Sequence, residues 1–229
     1  MGDWIAFWDS DHSIYVNARH RDAHYRTIAQ DIAKHVPAGA TVLDYGCGDA
    51  LHAQLVATQA RTLILCEAAP AVCAGLAQRF ARDPKIKVRS PEEVAALPAG
   101  SLDIVVLHSV AQYLAPGEFD ALLSVFRRLL QSQGLLILGD IIPPHVSAAT
   151  DAAALLRFAA GNGFFAAAIG GLLRTLASNY WRLRSRLGLT RYGETAMIEK
   201  LAAAGFSAHR VAVNIGHNQA RMTFLARPL

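Results

Sequence analysis

Between Thr41 and Asp140 the chain alternates five short apolar runs with segments of helical period, and that rhythm leaves few architectures open. The runs Thr41–Tyr45, Thr62–Glu67, Ile86–Val88, Leu102–Leu107 and Gly134–Asp140 have strand length and the apolar character of strands buried on both faces. Between them lie a helix through about Gln59, then Ala71–Arg82 and the amphipathic Pro116–Gln131. Strands alternating with helices of this length predict a parallel sheet covered on both sides. Turn chemistry marks the joints. Pro37-Ala38-Gly39 precedes the first run and Pro98-Ala99-Gly100-Ser101 the fourth. Ser90-Pro91-Glu92-Glu93 has the form of a capping box, with Ser90 as N-cap and Glu93 reaching back. Upstream, residues 17–36 predict a helix capped by Asn17, with Tyr25, Ile28, Ala29, Ile32, Ala33 and Val36 at helical spacing.

Pro143-Pro144 breaks the rhythm. Residues 147–190 read as helical with no strand, Thr195–Ala204 as a helix stopped by Gly205, and Ala208–Val213 and Met222–Ala226 as two closing strands. The expected fold is α/β: a doubly wound, mostly parallel seven-stranded sheet with one antiparallel edge strand and a helical lid inserted after strand 5. With 229 residues, 53% of them apolar, one domain has enough material for its own core. Within 1–229 its parts are an N-terminal helical segment (1–36), a core (40–142), the lid (147–190) and a closing helix and hairpin (194–229).

A net charge of +4 with no Lys/Arg tract does not point to nucleic acid. Three cysteines, at 47, 66 and 73, lack paired spacing, so free thiols and a reducing cytoplasm are expected. The start MGDWIAFWDSD lacks the basic and apolar regions of a signal peptide, and the longest apolar run, Gly163 to Leu173, falls short of the ~20 residues of a spanning helix.

The first strand ends in Asp44-Tyr45-Gly46-Cys47-Gly48-Asp49-Ala50. A dinucleotide loop needs a third glycine and no acid near the diphosphate, and a P-loop needs Lys-Ser/Thr. Neither is met. Asp44 instead suits a ligand that carries a cation, and glycines permit close approach of the backbone. Glu67 ends the second strand, where a carboxylate accepts both hydroxyls of a ribose in other open α/β sites.

With VLDYGCGDA (42–50), LILCE (63–67), ALPAGSLDIVVLHSVAQYL (96–114) and GLLILGD (134–140) in this order, the chain resembles class I S-adenosylmethionine-dependent methyltransferases. The resemblance implies S-adenosyl-L-methionine as cofactor. It places Asp44 and the Gly46-Cys47-Gly48 loop at the methionine part, Glu67 at the ribose with Ala68 beside the adenine, and Ser90, Pro91 and Glu92 along the adenine ring. Many relatives carry an Asp ahead of the Leu-Pro pair, which this chain lacks. His108, just past the fourth strand, faces cofactor or acceptor and is the candidate base; a hydrogen-bonded structural histidine is the other reading. Asp140 positions the acceptor or caps the turn after the fifth strand.

From Ala152 to Gly193 there are six arginines, several large apolar and aromatic residues, and no acid. Two readings stand side by side: a lid over a small, hydrophobic acceptor, or an ordinary helical hairpin with solvated arginines. The N-terminal segment, with Trp4, Phe7, Trp8, Tyr15 and Tyr25, is the other expected wall, and Tyr15, His20, Tyr25, Phe164 and Trp181 are the candidate acceptor contacts. His20 and His24 are four apart, but no accompanying Glu or Cys makes a zinc motif, so no metal is expected. The expected partner is a small, lipophilic molecule, with no nucleic acid and at most peripheral membrane contact. The rival functions are methylation of RNA or protein, and a non-catalytic cofactor-binding domain.

Overall fold

The computed structural model describes residues 2–10, 15–176 and 188–229. In chain order the elements are α1 (Gly2–Trp8), α2 (Ala18–Ala33), β1 (Thr41–Tyr45), α3 (Ala53–Gln59), β2 (Thr62–Cys66), α4 (Pro70–Arg79), β3 (Ile86–Arg89), α5 (Pro91–Ala95), β4 (Leu102–His108), α6 (Pro116–Leu129), β5 (Leu130–Ile141), α7 (Ala148–Asn162), α8 (Phe165–Leu176), α9 (Glu194–Ala203), β6 (Phe206–Arg210) and β7 (Met222–Pro228). A short 3₁₀ turn, Ala111–Tyr113, follows β4.

The sheet runs β3-β2-β1-β4-β5-β7-β6. β1 through β5 pair in parallel, and β7 runs antiparallel between β5 and β6. The chain leaves β1 toward β2 on one side and reaches β4 on the other. The loops after β1 and β4 therefore part and open a crevice at the strands' carboxyl ends.

Alternation along the central strands feeds two cores. Val105 and Leu107 join Leu43, Leu136, Phe119, Leu123, Phe126 and Phe224 on one face. Ile104 and Val106 join Val42, Leu63, Leu65, Ile137, Ile32 and Val56 on the other. In α6, Phe119, Leu123 and Phe126 recur at four and three residues and are fully buried, while Pro116 opens the helix where its missing N–H costs nothing. Asn17 caps α2, its side chain accepting from the His20 N–H at 2.9 Å. The capping box forms as well: Ser90 Oγ accepts from Glu93 N at 3.3 Å, and Glu93 Oε2 accepts from Ser90 N at 2.8 Å.

Several boundaries differ from the sequence expectation. β5 starts at Leu130, four residues before Gly134. β6 starts at Phe206, directly after Gly205 (φ +82°) ends the preceding turn, because Phe206 is buried in the core, and it ends at Arg210. α1 lies within the N-terminal segment expected to be helical, though its seven residues give too short a window for periodicity to place it. After β5 the chain forms the pair α7–α8, while Tyr180, Trp181, Arg182, Arg184 and Arg186 lie outside the described residues. Among the described residues no helix is long and apolar enough to cross a membrane.

Leu107 sits at zero exposure between β1 and β5, whereas Ser90 secures a five-residue surface helix. Leu107→Ala should lower unfolding free energy by ~2–5 kcal/mol, and Ser90→Ala by only ~1 kcal/mol, in urea titrations.

Candidate active site

The loop after β1 is closed onto β2 by its own backbone. Gly46 N and Cys47 N both donate to Cys66 O, at 2.8 and 3.1 Å. Glu67 completes the closure: Oε2 accepts from Gly48 N at 2.9 Å, and Oε1 accepts from Ala68 N and Ala69 N at 2.7 and 2.9 Å. Gly46 and Gly48 have φ of +74° and +57°, which L side chains rarely adopt. The space a Cβ would take is already filled, by Val110 at Gly46 and by the Tyr25 hydroxyl, 2.5 Å away, at Gly48. These glycines make room for neighbouring side chains of the fold.

Asp44, at the end of β1, contrasts with Glu67. Among the described residues no donor reaches its carboxylate. Burial, with a smaller contribution from the charge of Glu67, pushes its pKa up to about 7. A buried carboxylate without a donor is costly unless a cation arrives. Burial also raises the thiols of Cys47 and Cys66, so neither is an activated nucleophile.

A cavity of about 380 Å³ opens above this loop, within the range of small-ligand sites. Its lining includes Asp44, Gly46, Cys47, Gly48, Glu67 and Ala68 at the loop end, and Tyr15, His20, Tyr25, His108 and Asp140 on the other walls. Eleven sequence-derived candidates thus come together in one crevice. Phe164 does not line it: the ring is buried against Ala23, Ala159 and Ala168 and stacks on His20 at 4.9 Å. Ser90, Pro91 and Glu92 do not line it either. Their polar groups serve α5, where Ser90 Oγ also donates to Glu92 Oε2 at 2.7 Å, so the adenine contact expected of them has no support in this arrangement. Trp181 lies outside the described residues.

Trp4 and Trp8, from the N-terminal segment expected as a pocket wall, line the cavity, as do Tyr113 and Gln112, which carried no site signal in the sequence. Trp4, Trp8 and Tyr113 form an aromatic wall, with Tyr113 4.6 Å from the Trp4 ring and 5.8 Å from Trp8. Gln112 is buried with no partner for Oε1. His24 and His217, 6.0 Å apart, meet only because α2 packs against the β6–β7 connection. Burial first, and then the neighbouring imidazoles, lower the pKa of His24; His20 is pushed down to about 4 for the same reasons, and burial also lowers His108 and His217. At neutral pH this corner is a set of uncharged imidazoles.

His108 is held at both ring nitrogens. Nε2–H donates to Ile215 O at 3.2 Å, so in the uncharged ring Nδ1 is the acceptor. Nδ1 lies 3.1 Å from Ser109 Oγ, whose one proton is shared between that nitrogen and Asp140 Oδ2 at 2.8 Å. Gly139, opposite His108 in the β4–β5 register, leaves the ring its place, since a Cβ there would lie 2.5 Å from Cδ2. Both nitrogens thus face groups of the fold, Ile215 O and Ser109 Oγ, which favours the structural reading of His108 over the base. Ser109 and Asp140 have φ of +58° and +62°, strained values for non-glycine residues that their mutual bond helps to hold. Arg221 pairs with Asp151 at 2.9 Å and approaches Asp140 at 3.6 Å.

Residues 43–138 match the family model of the methyltransferase domain. No curated protein matches the chain. Among solved structures the chain is similar to the N-methyltransferase NodS of Bradyrhizobium japonicum in complex with S-adenosylhomocysteine, with 16% identity, TM-score 0.59, and coverage of 99% of this chain and 96% of that one. It is similar to the 1,6-didemethyltoxoflavin-N1-methyltransferase of Burkholderia thailandensis, with 16% identity, TM-score 0.60, and coverage of 99% and 86%. A complex of the Haloferax volcanii Trm112 methyltransferase activator with a methyltransferase gives 14% identity, TM-score 0.62, and coverage of 98% and 97%. At such identities the structural likeness establishes the fold.

The Asp44 carboxyl has an ordinary pKa of 3.8 and a folded value of about 7. The folded state binds the extra proton between these values, so the ligand-free protein should lose stability as pH rises through that window. Asp44→Asn should flatten the dependence in a series of urea titrations across that pH range.

Proposed function

We propose that this chain, whose residues 43–138 match the methyltransferase domain model and whose fold is shared with S-adenosylmethionine-dependent methyltransferases, methylates a small, largely apolar acceptor held between the glycine loop and the aromatic wall. The observation that carries this reading is Asp44, a half-buried carboxylate with no donor among the described residues, in the same cavity as Trp4, Trp8 and Tyr113.

The donor set fits the cofactor. Ionised Asp44 takes its ammonium group. Glu67 spends three acceptor positions on backbone N–H groups and keeps remaining lone pairs for ribose hydroxyls, with Ala68 alongside. The cofactor supplies an activated methyl on a sulfonium, so the protein's task is alignment and exclusion of water. Trp4, Trp8 and Tyr113 shield the crevice from one side. Leu155 and Leu189, from the segment after β5, shield it from another and serve as the lid.

His24 is the stronger candidate for receiving an acceptor proton. It lines the cavity, its ring makes no hydrogen bond among the described residues, and it is held uncharged. His108, through Ser109, positions the strained tips of β4 and β5. A nucleic-acid acceptor suits the cavity poorly: among its described lining residues Asp44, Asp49, Glu67 and Asp140 are acids, and the one arginine, Arg221, is bound to Asp151.

In calorimetry Asp44→Asn should weaken S-adenosylhomocysteine by about 100-fold, in keeping with loss of one partner of a buried charge pair. Wild-type binding below pH 7 should release a proton, read from buffers of different ionisation enthalpy; no release and an unchanged affinity would overturn the assignment. With labelled S-adenosylmethionine and a panel of lipophilic acceptors, His24→Gln should lower kcat by about 100-fold while leaving cofactor affinity intact. A larger loss in His108→Gln at unchanged cofactor affinity would return the proton-accepting role to His108.

A further inference from the structure

Helix α8 is turned against the usual rule for surface helices, which bury their large apolar residues and expose polar ones. Its most buried positions are small residues, with Leu172 half-buried beside them. Ala168 is at zero exposure, and Gly171 is buried where any Cβ would collide with Val16. Its outward side carries Phe165, Ile169 and Leu173, at 46%, 46% and 68% exposure. These recur every four residues and line one stripe about 12 Å long. Of the six large apolar side chains exposed among the described residues, three lie here.

The charged residues of α8 and of the segment that carries it are arginines. Arg174 lies in the last turn of α8, exposed Arg157 lies on α7, and Arg19 Nη1 donates to Gly163 O at the turn between the two helices at 2.9 Å. From Ala152 to Gly193 the sequence holds no Asp or Glu. Exposed Phe, Ile and Leu on a segment whose charged residues are all arginine complement a membrane surface with anionic headgroups. The stripe is also far smaller than the ~800 Å² that each partner of a stable protein complex contributes.

We infer that α8 is a membrane-docking helix, which lays Phe165, Ile169 and Leu173 into the interface of an anionic bilayer while Arg157 and Arg174 meet lipid phosphates. None of these side chains lines the cavity, so docking and cofactor binding are separable.

The chain of residues 1–229 should float with vesicles of phosphatidylcholine and phosphatidylglycerol, on the order of tenfold more than with phosphatidylcholine alone, and less at high salt. The variant Phe165→Ser/Ile169→Ser/Leu173→Ser should lose flotation while keeping its thermal transition and its affinity for S-adenosylhomocysteine. Arg157→Gln/Arg174→Gln should reduce flotation on the order of tenfold. Absence of flotation with the anionic vesicles, or flotation unchanged in the triple variant, would overturn the inference. So would a wild-type dimer that the triple variant converts to monomer without any vesicle binding, since a second copy would then be what covers the stripe.

Discussion

Two carboxylates stand at neighbouring strand tips, and the fold treats them oppositely. Glu67 gathers the N–H groups of Gly48, Ala68 and Ala69, so that the loops after β1 and β2 are tied through one side chain. Asp44 receives none, and the charge of Glu67 adds to burial in raising its pKa. The asymmetry gives the crevice its character. One acid is spent on holding the loop, and the other is left with an electrostatic demand that only a cation meets without loss. Because the strand order reverses between β1 and β4, the demand sits at the open end of the sheet, where a ligand has access.

What the sequence made legible was local. The Asn17 cap, the Ser90–Glu93 box and the strand ends at Asp44 and Glu67 each depend on residues within a few positions of one another, and each stands where the pattern put it. What stayed hidden was long-range. His24 and His217 are brought together by packing of α2 on the C-terminal part of the chain, and Arg221 finds Asp151 70 residues away in sequence. Periodicity contains no information on either pair. Ser90, Pro91 and Glu92 show the converse: their position after β3 was read correctly, but the polar atoms that were to meet a ligand are consumed in starting α5. In α8 the apolar content was plain, while the side of the helix that faces out was not. That is decided by Val16, which leaves room only for Gly171.

The glycines link the cofactor loop to the acceptor wall. Gly46 yields space to Val110 after β4, Gly48 to Tyr25 of α2, and Gly139 to His108. Each of those three side chains also lines the cavity. The Tyr25 hydroxyl further accepts from Asp49 N at 2.9 Å and receives the Tyr15 hydroxyl at 3.2 Å, while Arg21 pairs with Asp49 and Asp22 with His52. Helix α2, which carries His20 and His24, is therefore clamped directly to the loop that surrounds Asp44.

Methyl transfer by direct displacement tolerates little misalignment between acceptor and methyl group. A wall hung on a mobile segment would have to find that alignment on every turnover. Here the aromatic hydroxyls, the imidazoles and the glycine loop share backbone contacts, so whatever fixes the loop also fixes the acceptor's seat. Among the described residues the segment between β5 and α9 touches the cavity through Leu155 and Leu189, whereas α2 and the strand tips, joined through Asp49, supply the wall nearest Asp44.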